Sequence, residues 1–513
     1  MLPALLSCLG LLALWEIAAL GLGTSYVIAG PLEVLSYLAE NRALMMRALS
    51  VTLESAAAGF VFGNLAALLL GALAILFPRC EHLLSALVLL VFCLPLVATG
   101  PILRVLYGPG DGPQVTLAAL AVYYTTYVPL MVGLRAAPAA WFDLVRIYGR
   151  GRASELFHVR APAALPYLFA GLQIAAPAAL LGAMVGEFTG AEAGLGVLTV
   201  RAMRALDVPA LWAIAALAAA TAIAGYVLIG WLARVLTRAP APVILSPPRS
   251  AAGPRAHILG MRAGIAAAVA VLGWWAIMEV FALNPFFAKR PLDVFQALAT
   301  DADAAATRRT LSAAMLQTLG FALPGYVAGL AGGAVLAVIV SLSRVAALVM
   351  LPLAVTLRSV PIVTTAPLVI VLLGRGALGT VVLVAVMVFF PTLVACLYGL
   401  RQAPGQILDV MRSYGAGAFP QLLHARLPAM LPAFFAAARM AVPASILATT
   451  VVEWLATGRG IGSLMALSAS VSDYDMLWSC VVIVALLTVL LHGAVARIER
   501  AVAGRYANEQ LAR

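Results

Sequence analysis

Ionisable side chains are scarce in this 513-residue chain, with 10% charged residues against 64% hydrophobic. Those that stand inside apolar stretches are the ones with chemistry to offer. Glu187 and Glu453 lie 266 positions apart, each near the end of a long apolar run and each opening a Gly-rich turn, 187–196 and 453–462. Arg358 and Arg439 stand deep in apolar stretches of the second half, where the first half has Phe92 and Gln173. A charge at bilayer depth is costly unless it is paired or hydrated. Each of these residues therefore marks either an internal ion pair or a path for a solute, and the glutamates have a third option as helix caps at the outer interface. Arg439 and Glu453 are separated by about 21 Å along one helix, too far for mutual neutralisation. Tyr124, inside the run 123–127, and Thr365 add polar groups able to line such a path. Bond-making chemistry has weaker support. The five histidines are scattered, the five cysteines lack C-x-x-C spacing, and no GxxxxGK[ST] phosphate cradle occurs, so no cofactor or metal is expected.

A second constellation is polar and duplicated. RIYGRGRASELFHVRAPAALP (146–166) and RSYGAGAFPQLLHARLPAMLP (412–432) share eleven of twenty-one positions. Each copy follows an acidic residue, Asp143 or Asp409, and carries Tyr148, Gly149, His158 and Pro162 or their counterparts Tyr414, Gly415, His424 and Pro428. The expected local structure is a short surface helix with the aspartate at its positive start, a turn at the glycine, and a proline-set entry into the next apolar stretch. A plain connecting loop has no reason to recur so closely, whereas two equivalent docking surfaces do.

The elements that must position these residues are membrane helices. Spans of about 20 apolar residues fall near 2–22, 48–77, 83–106, 114–135, 164–189 and 209–236, then near 263–283, 314–341, 345–373, 377–400, 430–456 and 475–497. Pro95 and Pro101, with Pro361 and Pro367 in the second half, should break the third span of each half. The repeat holds at an offset of 266 for Thr52/Thr318, Gly59/Gly325, Gly63/Gly329, Pro138/Pro404, Gly194/Gly460, Gly196/Gly462 and many others. The fold class is thus all-α and integral to the membrane, with about twelve transmembrane helices as two parallel six-helix repeats, 1–237 and 263–500. An Arg/Pro-rich linker at 238–262 and a tail at 501–513 complete the chain.

The net charge of +11 rests almost wholly on arginine. The cluster of arginines at 234–262 and in the duplicated loops places those segments in the cytoplasm. Nucleic-acid binding, the competing reading of a basic chain, needs a basic face on a soluble domain.

The duplicated loop resembles the EAA loop of bacterial ABC-importer permeases: an acidic residue, Gly six later, an aliphatic residue ten after that, then Leu-Pro. Asp143, Gly149, Val159, Ala161 and Pro162 stand at those places, as do Asp409, Gly415, Ala425, Leu427 and Pro428. Asp replaces Glu, and Leu144-Val145 and Val410-Met411 replace the Ala pair. The broken third span and the Glu-to-Gly turns are similar to those of the nitrate/sulfonate/taurine branch. The resemblance implies a type I importer permease fused to a second copy of itself in the inner membrane, with no catalysis of its own. ABC ATPase subunits, two in number, would dock on the cytoplasmic loops, and an extracytoplasmic solute-binding protein would deliver a small anionic or zwitterionic solute or a vitamin precursor. An ion-coupled secondary transporter is the alternative of different mechanism.

Overall fold

The computed structural model describes residues 28–108, 110–237, 256–343 and 376–506, with scattered positions in 13–21 and 366–374. Among them the regular elements are helices. The first half contains α1 (Pro31–Glu40), α2 (Arg42–Leu76), α3 (Glu81–Phe92), α4 (Leu96–Tyr107), α5 (Gly112–Gly133), α6 (Ala139–Ile147), α7 (Arg152–Glu155), α8 (Ala161–Phe188), α9 (Leu195–Ala205) and α10 (Val208–Thr237). The second contains α11 (Ala256–Val280), α12 (Pro291–Ala299), α13 (Ala304–Leu342), α14 (Ala377–Arg401), α15 (Gly405–Ser413), α16 (Ala418–Gln421), α17 (Leu427–Val452), α18 (Gly460–Ser470) and α19 (Tyr474–Tyr506). Nine helices, counting those continuous through a π turn as one, are long and apolar enough to cross a membrane among the described residues. The α3–α4 pair makes a tenth if its bend is one broken span. The expected spans 2–22 and 345–373, with Pro361, Pro367, Arg358 and Thr365, lie wholly or mostly outside the described residues, as do the linker and the tail's end.

Proline chemistry explains the broken span. Pro95 has no amide hydrogen, and its ring pushes the preceding residue out of helical conformation. The axes of α3 and α4 accordingly meet at 89°, whereas Pro101, also expected to break the span, lies inside the continuous helix α4. Elsewhere helices run longer than the apolar pattern suggests: α2 has 35 residues and α13 has 39, so both extend beyond the hydrocarbon layer.

Close packing inside each half uses small residues. A Cβ added at Gly59 would lie 2.3 Å from that of Ala118, and one at Gly63 would lie 2.7 Å from the Ala119 carbonyl. Their twins Gly325 and Gly329 meet Val384 and the Ala385 carbonyl in the same way. Glycines four apart let α2 seat on α5, and α13 on α14, at backbone contact, which is how helices associate where lipid is as apolar as the side chains.

The halves are interlocked. α4 packs on α17, α18 and α19, and α11 packs on α3. One buried cluster takes Val97, Ala118 and Ala183 from the first half and Leu330, Val384 and Val451 from the second. Glu81 and Arg135 form an ion pair between the segments following α2 and α5, which puts those segments on one side of the membrane. Burial, then the nearby Arg160 charge, lowers the Arg135 pKa from its ordinary value. Lys289 pairs with Asp475 at 2.8 Å and Arg290 with Glu279 at 2.7 Å on the side expected to face outward.

Candidate functional site

The two duplicated loops fold alike. α6 and α15 are each nine residues long and start after Pro138 and Pro404. Asp143 and Asp409 therefore sit in mid-helix, not at the positive helix start that the sequence suggested. Prolines at the N-cap fixed the start four residues earlier than the acidic residue implied. Both aspartates instead face an arginine one turn on: Asp143–Arg146 at 3.8 Å and Asp409–Arg412 at 3.0 Å. Such exposed pairs contribute little to stability.

The glycines close both helices in the same way. Gly149 has φ +68° and Gly415 φ +75°, with nothing near the place a Cβ would occupy. The Gly149 N–H donates to the Arg146 carbonyl and that of Arg150 to Val145; Gly415 and Ala416 donate likewise to Arg412 and Met411. This is the Schellman arrangement, in which a left-handed residue satisfies the last helical carbonyls. The glycine is needed for its backbone conformation, not for a close approach.

After the turn the chain enters a long helix through a π turn, 156–160 in one loop and 422–426 in the other. Pro162 and Pro428 follow directly. A proline clashes with the carbonyl four residues back, and a widened turn moves that carbonyl aside. His158 Nδ1 and His424 Nδ1 each lie 3.1 Å from the carbonyl of the residue four before, Ser154 and Pro420. The helix from Arg152 to Phe188 is thereby continuous from the loop through a membrane-long span. Each loop also leaves apolar groups uncovered by the rest of the chain: Trp141, Leu144, Ile147, Tyr148 and Phe157 in one, Ile407, Val410, Tyr414, Phe419 and Leu423 in the other. Glu155, which sequence reading passed over, is buried and receives Arg146 Nε at 2.9 Å, bracing α6 against α7. Its twin is Gln421.

At the opposite end of these helices from the loops, the repeated glutamates are buried. The Gly462 N–H donates to Glu453 Oε2 at 2.9 Å, and Thr318 Oγ1 donates to both carboxylate oxygens at 2.9 and 3.0 Å. The Ile461 N–H in turn donates to Thr318 Oγ1 at 2.9 Å. In the first half the Gly196 N–H donates to Glu187 Oε2 at 2.6 Å and the Leu195 N–H to Thr52 Oγ1 at 2.8 Å. These carboxylates sit at the N-termini of α9 and α18, where the helix dipole favours negative charge. The geometry is that of caps tying α8 to α9 and α17 to α18. The Thr52/Thr318 repeat was visible in the sequence, but its partner was not. A Cβ at Gly194 or Gly460, both at positive φ, would lie 2.2 or 2.0 Å from carboxylate atoms. Gly460→Ala is expected to lower the apparent Tm in detergent by the equivalent of about 2–4 kcal/mol. Gly264→Ala, at an open helical position, serves as the control and should leave it unchanged.

Arg439 on α17 pairs with Glu499 on α19 at 3.0 Å, both largely buried. The bilayer-depth cation thus has a carboxylate from a neighbouring span. Tyr124 on α5 stacks on Phe92 at 3.9 Å between centroids. Of the candidate pathway residues, Arg439 and Tyr124 stand on α17 and α5, and Met440 beside Arg439 packs against the buried cluster that holds Tyr124. Glu187 and Glu453 lie apart from them, at the end opposite the loops.

Residues 59–241 and 329–504 each match the family of binding-protein-dependent transport system inner membrane components. A probable ABC transporter permease protein of Haemophilus influenzae is 31% identical over 228 residues, 43% of this chain and 91% of the relative. The formylaminopyrimidine transport permease protein ThiX of Halalkalibacterium halodurans is 27% identical over 227 residues, 44% of this chain and 91% of its own. The putative aliphatic sulfonates transport permease protein SsuC of Bacillus subtilis is 26% identical over 191 residues, 37% and 69%. The first two relatives align over nearly their whole length with less than half of this chain, as two fused copies require. The chain belongs to the binding-protein-dependent transport inner-membrane component family, and is an ABC transporter permease of the inner membrane carrying that family's domain twice.

Proposed function

We propose that this single chain is the complete solute pathway of an ATP-driven importer. Its two loops receive two ATPase subunits on the cytoplasmic side, and an extracytoplasmic binding protein supplies the cargo. The observation that carries this reading is the duplicated loop: a surface helix with exposed apolar groups, a glycine-closed turn and a rigid continuation into a membrane-long helix. Force applied to such a helix is delivered to the far side of the membrane. The buried core shared by both halves favours one chain as the whole pore.

For the cargo, a small pyrimidine-type precursor is the reading supported best. The relative named for formylaminopyrimidine transport is matched over 91% of its length, and Arg439, a cation available to an anionic solute if it stood alone, is already met by Glu499. A sulfonate is the second reading, favoured by the relative named for aliphatic sulfonates. The test is uptake into proteoliposomes holding this chain, its ATPase and its binding protein, with labelled formylaminopyrimidine and labelled alkanesulfonate supplied in parallel. ATP-dependent accumulation of the pyrimidine is expected. Accumulation of the sulfonate alone would select the second reading, and uptake driven by an ion gradient without ATP would reject the importer.

A further inference from the structure

The two loops share a backbone but not a surface. The first exposes Arg150 and Arg152 beside the glycine turn; the second has Ala416 and Ala418 there. Ile147, at the end of α6, is replaced by Ser413 at the end of α15. Inside the first loop Arg146 reaches out of α6 to the buried Glu155, while Arg160 lies 4.4 Å over the Phe142 ring and donates to the Leu134 carbonyl at 2.9 Å. α6 is thereby fastened to the segment that enters the membrane. In the second loop Arg412 pairs within α15 itself, with Asp409, and Gln421 Nε2 donates to the Ala416 carbonyl at 2.8 Å. The first dock is braced by charge and strongly cationic; the second is held at its turn by a neutral hydrogen bond.

We propose that the loops are unequal docks, the first holding its ATPase subunit more tightly through an acidic face on that subunit that meets Arg150 and Arg152. This rests on the docking reading above. Charge complementarity names the partner surface. Carboxylates meeting two exposed guanidinium groups give an attraction that salt screens over about 10 Å at 0.1 M, whereas the apolar contact made by Tyr414, Val410 and Phe419 is insensitive to moderate salt. A bracing ion pair also removes part of the ordering cost that binding would otherwise carry. One kind of ATPase subunit, presented to both loops, would meet a salt-sensitive dock and a salt-tolerant one.

Site-specific cross-linking separates the two docks. In a Cys8→Ser/Cys80→Ser background, Ile147→Cys and Ser413→Cys variants of the full chain carry a benzophenone label at equivalent positions. Each is mixed with the ATPase subunit that restores uptake with this chain, over a range of NaCl. The yield at 147 should exceed that at 413 by roughly fivefold at low salt, the effect of two surface charge contacts, and should fall towards it as salt rises. Arg150→Ala/Arg152→Ala should remove the excess at 147 and leave 413 unchanged. Ala416→Arg/Ala418→Arg should raise the yield at 413, a gain that loss of folding cannot mimic. Equal yields with equal salt dependence would overturn the inequality while leaving docking intact. Absence of cross-links at both positions would overturn docking itself.

Discussion

Replacing Arg439 by Gln is expected to destabilise the protein by about 3–5 kcal/mol, because it leaves Glu499 buried without its partner. Glu499→Ala should cost a similar amount by stranding Arg439. The first half shows what a compatible pair looks like: it has Gln173 and Ala233 at the equivalent positions, and Gln173 Nε2 donates to the Tyr226 carbonyl at 3.3 Å. The double variant Arg439→Gln/Glu499→Ala should therefore recover most of the stability lost by either single change. Thermal unfolding of the four proteins in one detergent measures the cycle, whose coupling term isolates the pair. A single Arg439→Gln variant that keeps its Tm but loses uptake of an anionic cargo would show instead that the charge serves the solute.

Substituting both turn glycines, Gly149→Val and Gly415→Val, should abolish uptake and the stimulation of ATP hydrolysis by cargo. Valine is β-branched and poorly tolerated at φ +68° or +75°. The turn must open, the Schellman hydrogen bonds are lost, and the surface helix no longer holds its angle to the membrane-long helix. Both glycines are exposed and touch nothing where a Cβ would stand, so insertion and expression should be unaffected. Gly405→Ala, at an open position with ordinary backbone, is the matching control and should transport normally. Uptake by the double valine variant at the normal rate would remove the turn from the coupling mechanism.

The repeat made most of the architecture legible before any coordinate. Gly59/Gly325 and Gly63/Gly329 are paired in the sequence because α2 and α13 make the same backbone contact in each half, and Pro95 marks a real break because a missing amide hydrogen is a local property. Features that depend on which helix faces meet were not legible. Nothing in the sequence ties Arg439 to Glu499, since the two stand on different spans and only packing brings them together. The role of Glu187 and Glu453 was open between a pathway and a cap until Thr52, Thr318 and the amides of α9 and α18 were seen around them. Asp143 sits in mid-helix, away from the start its charge suggests, for a simpler reason: Pro138, visible in the repeat, is a stronger helix-start signal than an acidic residue.

That one chain supplies both halves of the pathway and both docks is tested most directly by the composition of the assembled transporter. Native mass spectrometry of the complex, purified with its ATPase from reconstituted membranes in the presence of a non-hydrolysable ATP analogue, reads the ratio without reference to cargo. One copy of this chain with two ATPase subunits is the expected mass. Two copies of this chain with two ATPase subunits would contradict the account, because each chain would then contribute a single working dock.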